Sequence, residues 1–508
     1  MNLRKKIVSN SLSGVFQAIV NVILVFTVVP IFISKLGIEE YGLFSLIIIV
    51  GNLNVFTNLG LSTTLLKFIS EQGKIKESNY DLVVAVFIVI LFLVPILLAG
   101  IIFNKFILIN ILGVPTHNFQ NSKILYLFLM GANFFLVLGQ IFKAVLDGLQ
   151  RIVLTNFLQI LYNIIYWILI LFVLLLGYHL PQIGMVAFLS AFIWFILIVF
   201  YTLNFWGTIK LDGLKNNFRR VIKKQISYAI KIYATGLISF FSEPLMKIII
   251  SNFIGISDVG FYDIALRFRN QLLALLNKLY YPLLPVIAGM KNIEKIKLYV
   301  DDIEKKALNF IIPLIIVISY TTIPFVKLWI GKNVDIISFS IIALVSAYLI
   351  FSITVVPNYQ FLITKGYPQK TIILKSINVF TNIVLTVMLF NWLEYYSVIF
   401  GNVMGVLSSF LLSQYYQKKY LDSFIFDNWK QVSKLLVLAV VNLGLAYLLN
   451  LILISNWAKL IIIPIILSLS NLLLFRHLKL FTKEDIFRYL SKNIKIKSTL
   501  ENILIKSS

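Results

Sequence analysis

The sequence predicts an all-α integral membrane protein of about fourteen transmembrane helices, two sets of six and a closing pair, and three observations carry that prediction. Of its 508 residues 59% are hydrophobic and 13% charged, with a mean hydropathy of +0.92, whereas soluble domains carry roughly 25% charged residues. Apolar runs of about 20 residues, the length that crosses a bilayer, recur along the whole chain. A pattern near the N-terminus also returns about 218 residues later, a period too long for a stacked solenoid.

The first six runs cover residues 11–33, 41–66, 82–103, 124–146, 152–176 and 181–206. Arg4, Lys5 and Lys6 before the first run resemble the start of a signal peptide. That run outlasts an h-region and no small-residue cleavage site follows, so it reads as a retained helix. Residues 207–227 break the pattern with Lys210, Lys215, Arg219, Arg220, Lys223 and Lys224 and read as a basic linker. Six further runs follow at 228–254, 262–290, 307–330, 336–363, 371–390 and 395–415, then a pair at 431–453 and 457–475. The expected organisation is an N-lobe at 1–206, the linker at 207–227, a C-lobe at 228–416, helices thirteen and fourteen within 417–475, and a Lys-rich tail at 476–508.

A net charge of +24 would suit a nucleic-acid binder, but the basic residues sit in short loops between apolar runs, which is a topology signal. With the N-terminus inside, alternate loops place about 35 of the 45 Lys and Arg residues on the cytoplasmic side and about 6 outside, so both termini are expected to be cytoplasmic. No nucleic-acid partner is expected.

The repeat aligns Leu36-Gly37-Ile38-Glu39-Glu40-Tyr41-Gly42-Leu43-Phe44 with Ile254-Gly255-Ile256-Ser257-Asp258-Val259-Gly260-Phe261-Tyr262 without a gap. Asp147-Gly148-Leu149 answers Lys365-Gly366-Tyr367 at the same offset. Glycine at such turns is expected where the backbone needs a positive φ. An even number of spans separates the copies, so the two sets enter the membrane in the same direction and should be related by a pseudo-twofold axis along the membrane normal.

Enzymatic chemistry finds no support: cysteine is absent, His117, His179 and His477 are far apart, and no phosphate loop of the Walker type or nucleophile-and-base pattern occurs. No metal site, bound cofactor or catalytic residue is expected. The informative residues are ionisable or polar groups within apolar runs, where each charge costs about 2.5 to 3.5 kcal/mol and calls for a partner or a watered cavity. On a 3.6-residue period Arg267, Gln271, Ala274, Lys278 and Tyr281 share one face of the eighth run, with Arg269 nearly opposite. On the seventh, Gly236, Ser239, Glu243 and Lys247 share a face, and Glu243 with Lys247 has the spacing of an i,i+4 ion pair. The first set offers neutral counterparts: Gln17 and Asn21 on its first run, Asn52, Asn54 and Asn58 on its second, with Asn52 matching Asn270. Such amides also join helices by hydrogen bonds. A cavity with one neutral and one cationic wall suits an anionic, sugar-bearing or phosphate-bearing substrate. Glu243 is the one carboxylate well inside a run, which leaves coupling to H+ or Na+ open.

The two glycine hairpins, together with Asn58-Leu59-Gly60-Leu61-Ser62 and Val259-Gly260-Phe261-Tyr262-Asp263-Ile264-Ala265-Leu266-Arg267, resemble the signatures of the polysaccharide-transport (Wzx-type, O-antigen flippase) family of the multidrug/oligosaccharidyl-lipid/polysaccharide exporter superfamily. The resemblance covers essentially the whole chain and departs at Asn58, where an aspartate is expected. It implies movement of an undecaprenyl-pyrophosphate-linked oligosaccharide, as for lipopolysaccharide O-antigen or capsule, across the bacterial cytoplasmic membrane. The polymerase or ligase of the same pathway would be partners. The family's cationic lumen maps onto Arg267 and Lys278, then Lys247, Arg269 and Lys67, the last a basic position at the inner end of the second run. A peptidoglycan lipid-precursor flippase, a multidrug exporter of the same superfamily and a non-transporting membrane scaffold stand as alternatives. The exporter branch would typically carry an acid on its first helix, and residues 11–33 hold none.

Overall fold

The computed structural model describes residues 3–49, 58, 60–209, 211–280, 286–287, 289–353, 355–425, 427, 429–478 and 480. The regular structure in them is helical: α1 Leu3–Ile47, α2 Leu61–Gln72, α3 Lys76–Ile102, α4 Phe119–Gly148, α5 Ile152–Leu175, α6 Leu180–Trp206, α7 Leu214–Phe240, α8 Glu243–Phe253, α9 Ile256–Tyr280, α10 Ile293–Trp329, α11 Val334–Tyr348, α12 Val356–Thr364, α13 Pro368–Leu393, α14 Tyr395–Leu421, α15 Trp429–Ile452 and α16 Asn456–His477. Two compact units divide the chain, residues 1–263 and 264–508, with the boundary inside α9.

Among the described residues eleven helices are long and apolar enough to cross a membrane. The three expected spans outside that count are the second, the seventh and the eighth. Residues 50–57 of the second lie outside the described residues. The seventh is broken at Phe241 and Ser242 into α7 and α8. The eighth, α9, carries Asp258, Asp263, Arg267, Arg269 and Lys278 in 25 residues, too many charges for an apolar span.

Three departures from the sequence reading concern local conformation. The stretch read as a linker is helical from Leu214 onward, because its basic residues fall on an amphipathic helix rather than in a loop. The break after Phe240 interrupts the single stripe expected to run from Gly236 to Lys247. The matched glycines also divide the work: Gly37 (φ 87°) and Gly366 (φ 89°) take the positive φ, whereas Gly255 and Gly148 do not. Gly148 is instead pressed against α2, where an added Cβ would lie 2.8 Å from Ile69 Cγ2.

In the first unit α1 turns sharply at Gly37, and Phe32 meets Tyr41 and Phe44 with ring centroids 5.3 and 5.1 Å away. Residues 41–47 are buried throughout, so the segment after the turn is enclosed by protein on all sides. Trp194 of α6 packs with Leu146, Leu158 and Ile198, and Gly139 makes room for its ring. In the second unit Ile316 of α10, Ala446 of α15, and Ile463 and Leu467 of α16 form one cluster, so the closing helix pair is packed against α10. Large apolar side chains such as Phe200, Leu451 and Leu473 remain exposed on helix sides, as expected where lipid replaces water.

Helices α13 and α14 approach closely through Gly401 and Gly405, a small-xxx-small pair. A Cβ at Gly401 would lie 2.7 Å from the Asn382 carbonyl oxygen, and one at Gly405 2.6 Å from that of Asn378. Backbone cannot yield as a flexible side chain can, so Gly405→Val is expected to cost about 1–3 kcal/mol. A lower Tm of the purified protein, with little effect from Ser408→Val, checks this.

Candidate functional site

The residues that matter fall on α1, α2, α8 and α9, and the two units contribute separately. In the first unit, residues 38–47 of α1 cross the start of α9. Cβ atoms show how tight this crossing is: one added to Gly42 would overlap the carbonyl oxygen of Ile256, and one added to Gly260 would lie 2.9 Å from the carbonyl oxygen of Ile38. Gly42 corresponds to Gly260 in the repeat, and Ile38 to Ile256. The same contact is therefore made twice, once from each copy of the hairpin.

Beside that crossing lies a buried polar node. Lys247 of α8 places Nζ 2.5 Å from Asp263 Oδ1 and 2.9 Å from Ser45 Oγ, and Tyr41 Oη donates to Asp263 Oδ2 at 2.6 Å. Lys247 is 9% exposed and Asp263 4%. Ser45 and Asp263 are themselves repeat equivalents, so one ammonium joins the same position in both copies. Lys247 is thus bonded across to the next helix, a partner that i,i+4 spacing does not indicate. Glu243 is half-buried in the first turn of α8.

At the basic end of this unit Lys67 of α2 lies over the Tyr228 ring at 4.2 Å and 3.8 Å from Glu71. Its neighbour Lys224 reaches Asp81 at 2.8 Å and covers the Phe68 ring at 4.0 Å, while Gln225 donates to the Asp81 carbonyl oxygen at 2.7 Å. These bonds join α2, α3 and α7. The neutral candidates are partly used in packing. Asn21 Oδ1 accepts from Asn163 Nδ2 at 3.4 Å, and Gln17 is half-buried on the same helix. Asn58 accepts from the Ser62 N–H at 2.9 Å and donates to its Oγ at 2.7 Å, a local bond at the start of α2. Asn52 and Asn54 lie outside the described residues.

In the second unit Arg267 and Gln271 are half-buried on α9, while Arg269 is 3% exposed. The Arg269 guanidinium lies over the Tyr348 ring at 4.2 Å and reaches Asn270 Oδ1 at 2.8 Å, so it clamps α9 to α11. Arg269 is thus buried where Arg267, two residues earlier on the same helix, is half-buried. Lys278 is on α9, and its side chain lies outside the described residues. Near the basic end, Glu304 of α10 is 1% exposed and accepts from Gln417 Nε2 at 2.7 Å. With Asp301, Ser423 and Asp427 it lines a cavity of about 200 Å³.

Sequence reasoning missed Ser45 and Asp263 as partners of Lys247 and Tyr41 as a partner of Asp263, as well as Glu304. The repeat carries a signal for one of them, since its offset aligns Asp263 with Ser45. Glu304 lies just before an apolar run and carries no comparable mark.

A family model described as polysaccharide biosynthesis protein matches residues 3–291. No curated protein matches. Among solved structures the fold is similar to that of the lipid II flippase MurJ in an inward closed conformation, with TM-score 0.72 and 16% identity over 92% of this chain and 97% of that one. It is also similar to a multidrug resistance MATE family transporter of the MOP superfamily. The inward-facing form gives TM-score 0.61 and 15% identity over 80% of this chain and 98% of that one. The outward-facing form gives 0.59 and 16% over 82% and 96%.

Proposed function

Because the chain belongs to the polysaccharide biosynthesis protein family, we propose that it is a flippase that moves an undecaprenyl-pyrophosphate-linked oligosaccharide across the bacterial cytoplasmic membrane by alternating access. The family match over residues 3–291 carries this reading. The fold supports it, since more of this chain aligns with a lipid-linked-precursor flippase than with the drug transporters. The difference, 92% against 80% of this chain, is about the size of the closing helix pair, residues 417–475.

Arg267 and Lys278 are assigned the task of neutralising the pyrophosphate, with Gln271 and Asn270 hydrogen-bonding sugar hydroxyls. A charge-assisted bond to phosphate gains strength as the cavity sheds water. The buried pairing of Lys247 and the stacking of Arg269 support a role for those two in holding helices rather than substrate. The prenyl chain would stay in lipid while the headgroup crosses, with both termini on the cytoplasmic side.

A strain lacking its polysaccharide flippase is expected to regain surface polymer with the wild-type chain. At matched membrane levels, Arg267→Ala should lower that polymer at least about tenfold, as loss of a charge-assisted contact to phosphate implies. Full activity of Arg267→Ala would remove that residue from the site. The likeness to the lipid II flippase favours one other substrate, the peptidoglycan precursor. Rescue of a strain depleted of its lipid II flippase, without rescue of polymer export, would establish that reading instead.

A further inference from the structure

We infer that the hairpin crossing in the first unit is a latched gate, sealed by Gly42 and Gly260 and held shut by Lys247, Asp263, Tyr41 and Ser45. The inference rests on the transport reading for its consequence, not for its geometry. The seal comes first. Two helices approach so closely at Gly42 and Gly260 that neither position has room for a Cβ, and each glycine faces a backbone carbonyl of the other copy. Such a contact is stiff and either made or unmade, since no side chain is present to deform.

The latch is separate from the seal and supplies directionality. Glycine contacts bury little apolar surface, so the closed arrangement needs another source of stability. The Asp263 carboxylate provides it by accepting from Tyr41 on one oxygen and from Lys247 on the other. Lys247 in turn holds Ser45, so the ammonium ties α8, α9 and the post-kink segment of α1 together. Opening the crossing leaves the ion pair of Lys247 and Asp263 intact within its own hairpin but breaks the bonds to Tyr41 and Ser45, which water must then replace. A transporter that alternates needs such a two-state element. With both termini cytoplasmic, as the loop charges indicate, the Gly37 and Gly255 turns face the outer surface. The latch would then guard the outer mouth while substrate loads from the inner leaflet.

The chain has no cysteine, which makes the test direct. Ile256→Cys would be introduced at the seal, where the side chain is buried, and Val145→Cys, at a fully buried position of α4, would serve as a folding reporter. Right-side-out membrane vesicles would be treated with a membrane-impermeant maleimide. With the native latch, both thiols should label slowly. Asp263→Asn is expected to speed labelling of the thiol at position 256 at least about tenfold, and Tyr41→Phe about threefold, with Val145→Cys still silent, as a shifted open population requires. Unchanged labelling at position 256 in both variants would overturn the latch. Equal acceleration at both reporters would also overturn it, because the node would then hold the fold of the whole unit rather than a gate. Labelling does not depend on the substrate, so failure of complementation and failure of the latch are told apart.

Discussion

Lys247→Met is expected to destabilise the protein by about 3–5 kcal/mol, the cost of leaving one member of a buried ion pair without its partner. The loss is not the worth of the pair itself. Asp263 would keep the hydrogen bond from Tyr41 but lose the ammonium 2.5 Å away that balances its charge. The double substitution Lys247→Met with Asp263→Leu fills similar volume and removes both charges, and such replacements are often neutral. It should therefore recover most of the loss. Thermal unfolding of detergent-purified single and double variants measures this. A double variant no more stable than the sum of the two single losses would mean that the two residues do not act as a pair.

The second large effect is expected at Gly42. Valine there would drive Cβ into the Ile256 carbonyl oxygen, and neither helix can withdraw without giving up the crossing. Overpacking of this kind costs about 1–3 kcal/mol in ordinary cores, and here the strain is relieved by opening. Gly42→Val and Gly260→Val should therefore retain the helical content of the native chain while losing export of polymer. Gly444, which has open space around an added Cβ, is the control expected to accept alanine unchanged. A Gly42→Val chain with full export would show that the close approach is incidental.

The helical membrane fold was legible because bilayer thickness imposes length and apolarity on each span, and eleven of the expected spans meet both criteria. The duplication was legible too, since Gly42 and Gly260 keep their register about 218 residues apart. What could not be read was which charge meets which. The spacing of Glu243 and Lys247 suggested a local pair because helix geometry reports neighbours within one helix. Lys247 bonds to Asp263, which the turn at Gly255 folds back alongside it. Local periodicity contains no term for that turn. Asn58 illustrates the same limit from the other side: among the amides of its run it suggested a cavity wall or a bond between helices, yet its side chain bonds locally to Ser62.

The crossing of the hairpins has a consequence for how this chain can change. Matched residues meeting across a local axis are the hallmark of an isologous interface between identical subunits, here joined in one polypeptide. A substitution at one glycine alters half of such an interface, whereas in a true homodimer it would alter both halves at once. Fusion therefore lets the copies drift apart, and the drift is visible at the node: serine at position 45, aspartate at 263, with a single lysine serving both. A polypeptide restored to twofold identity at these positions would carry either two carboxylates facing one ammonium or none.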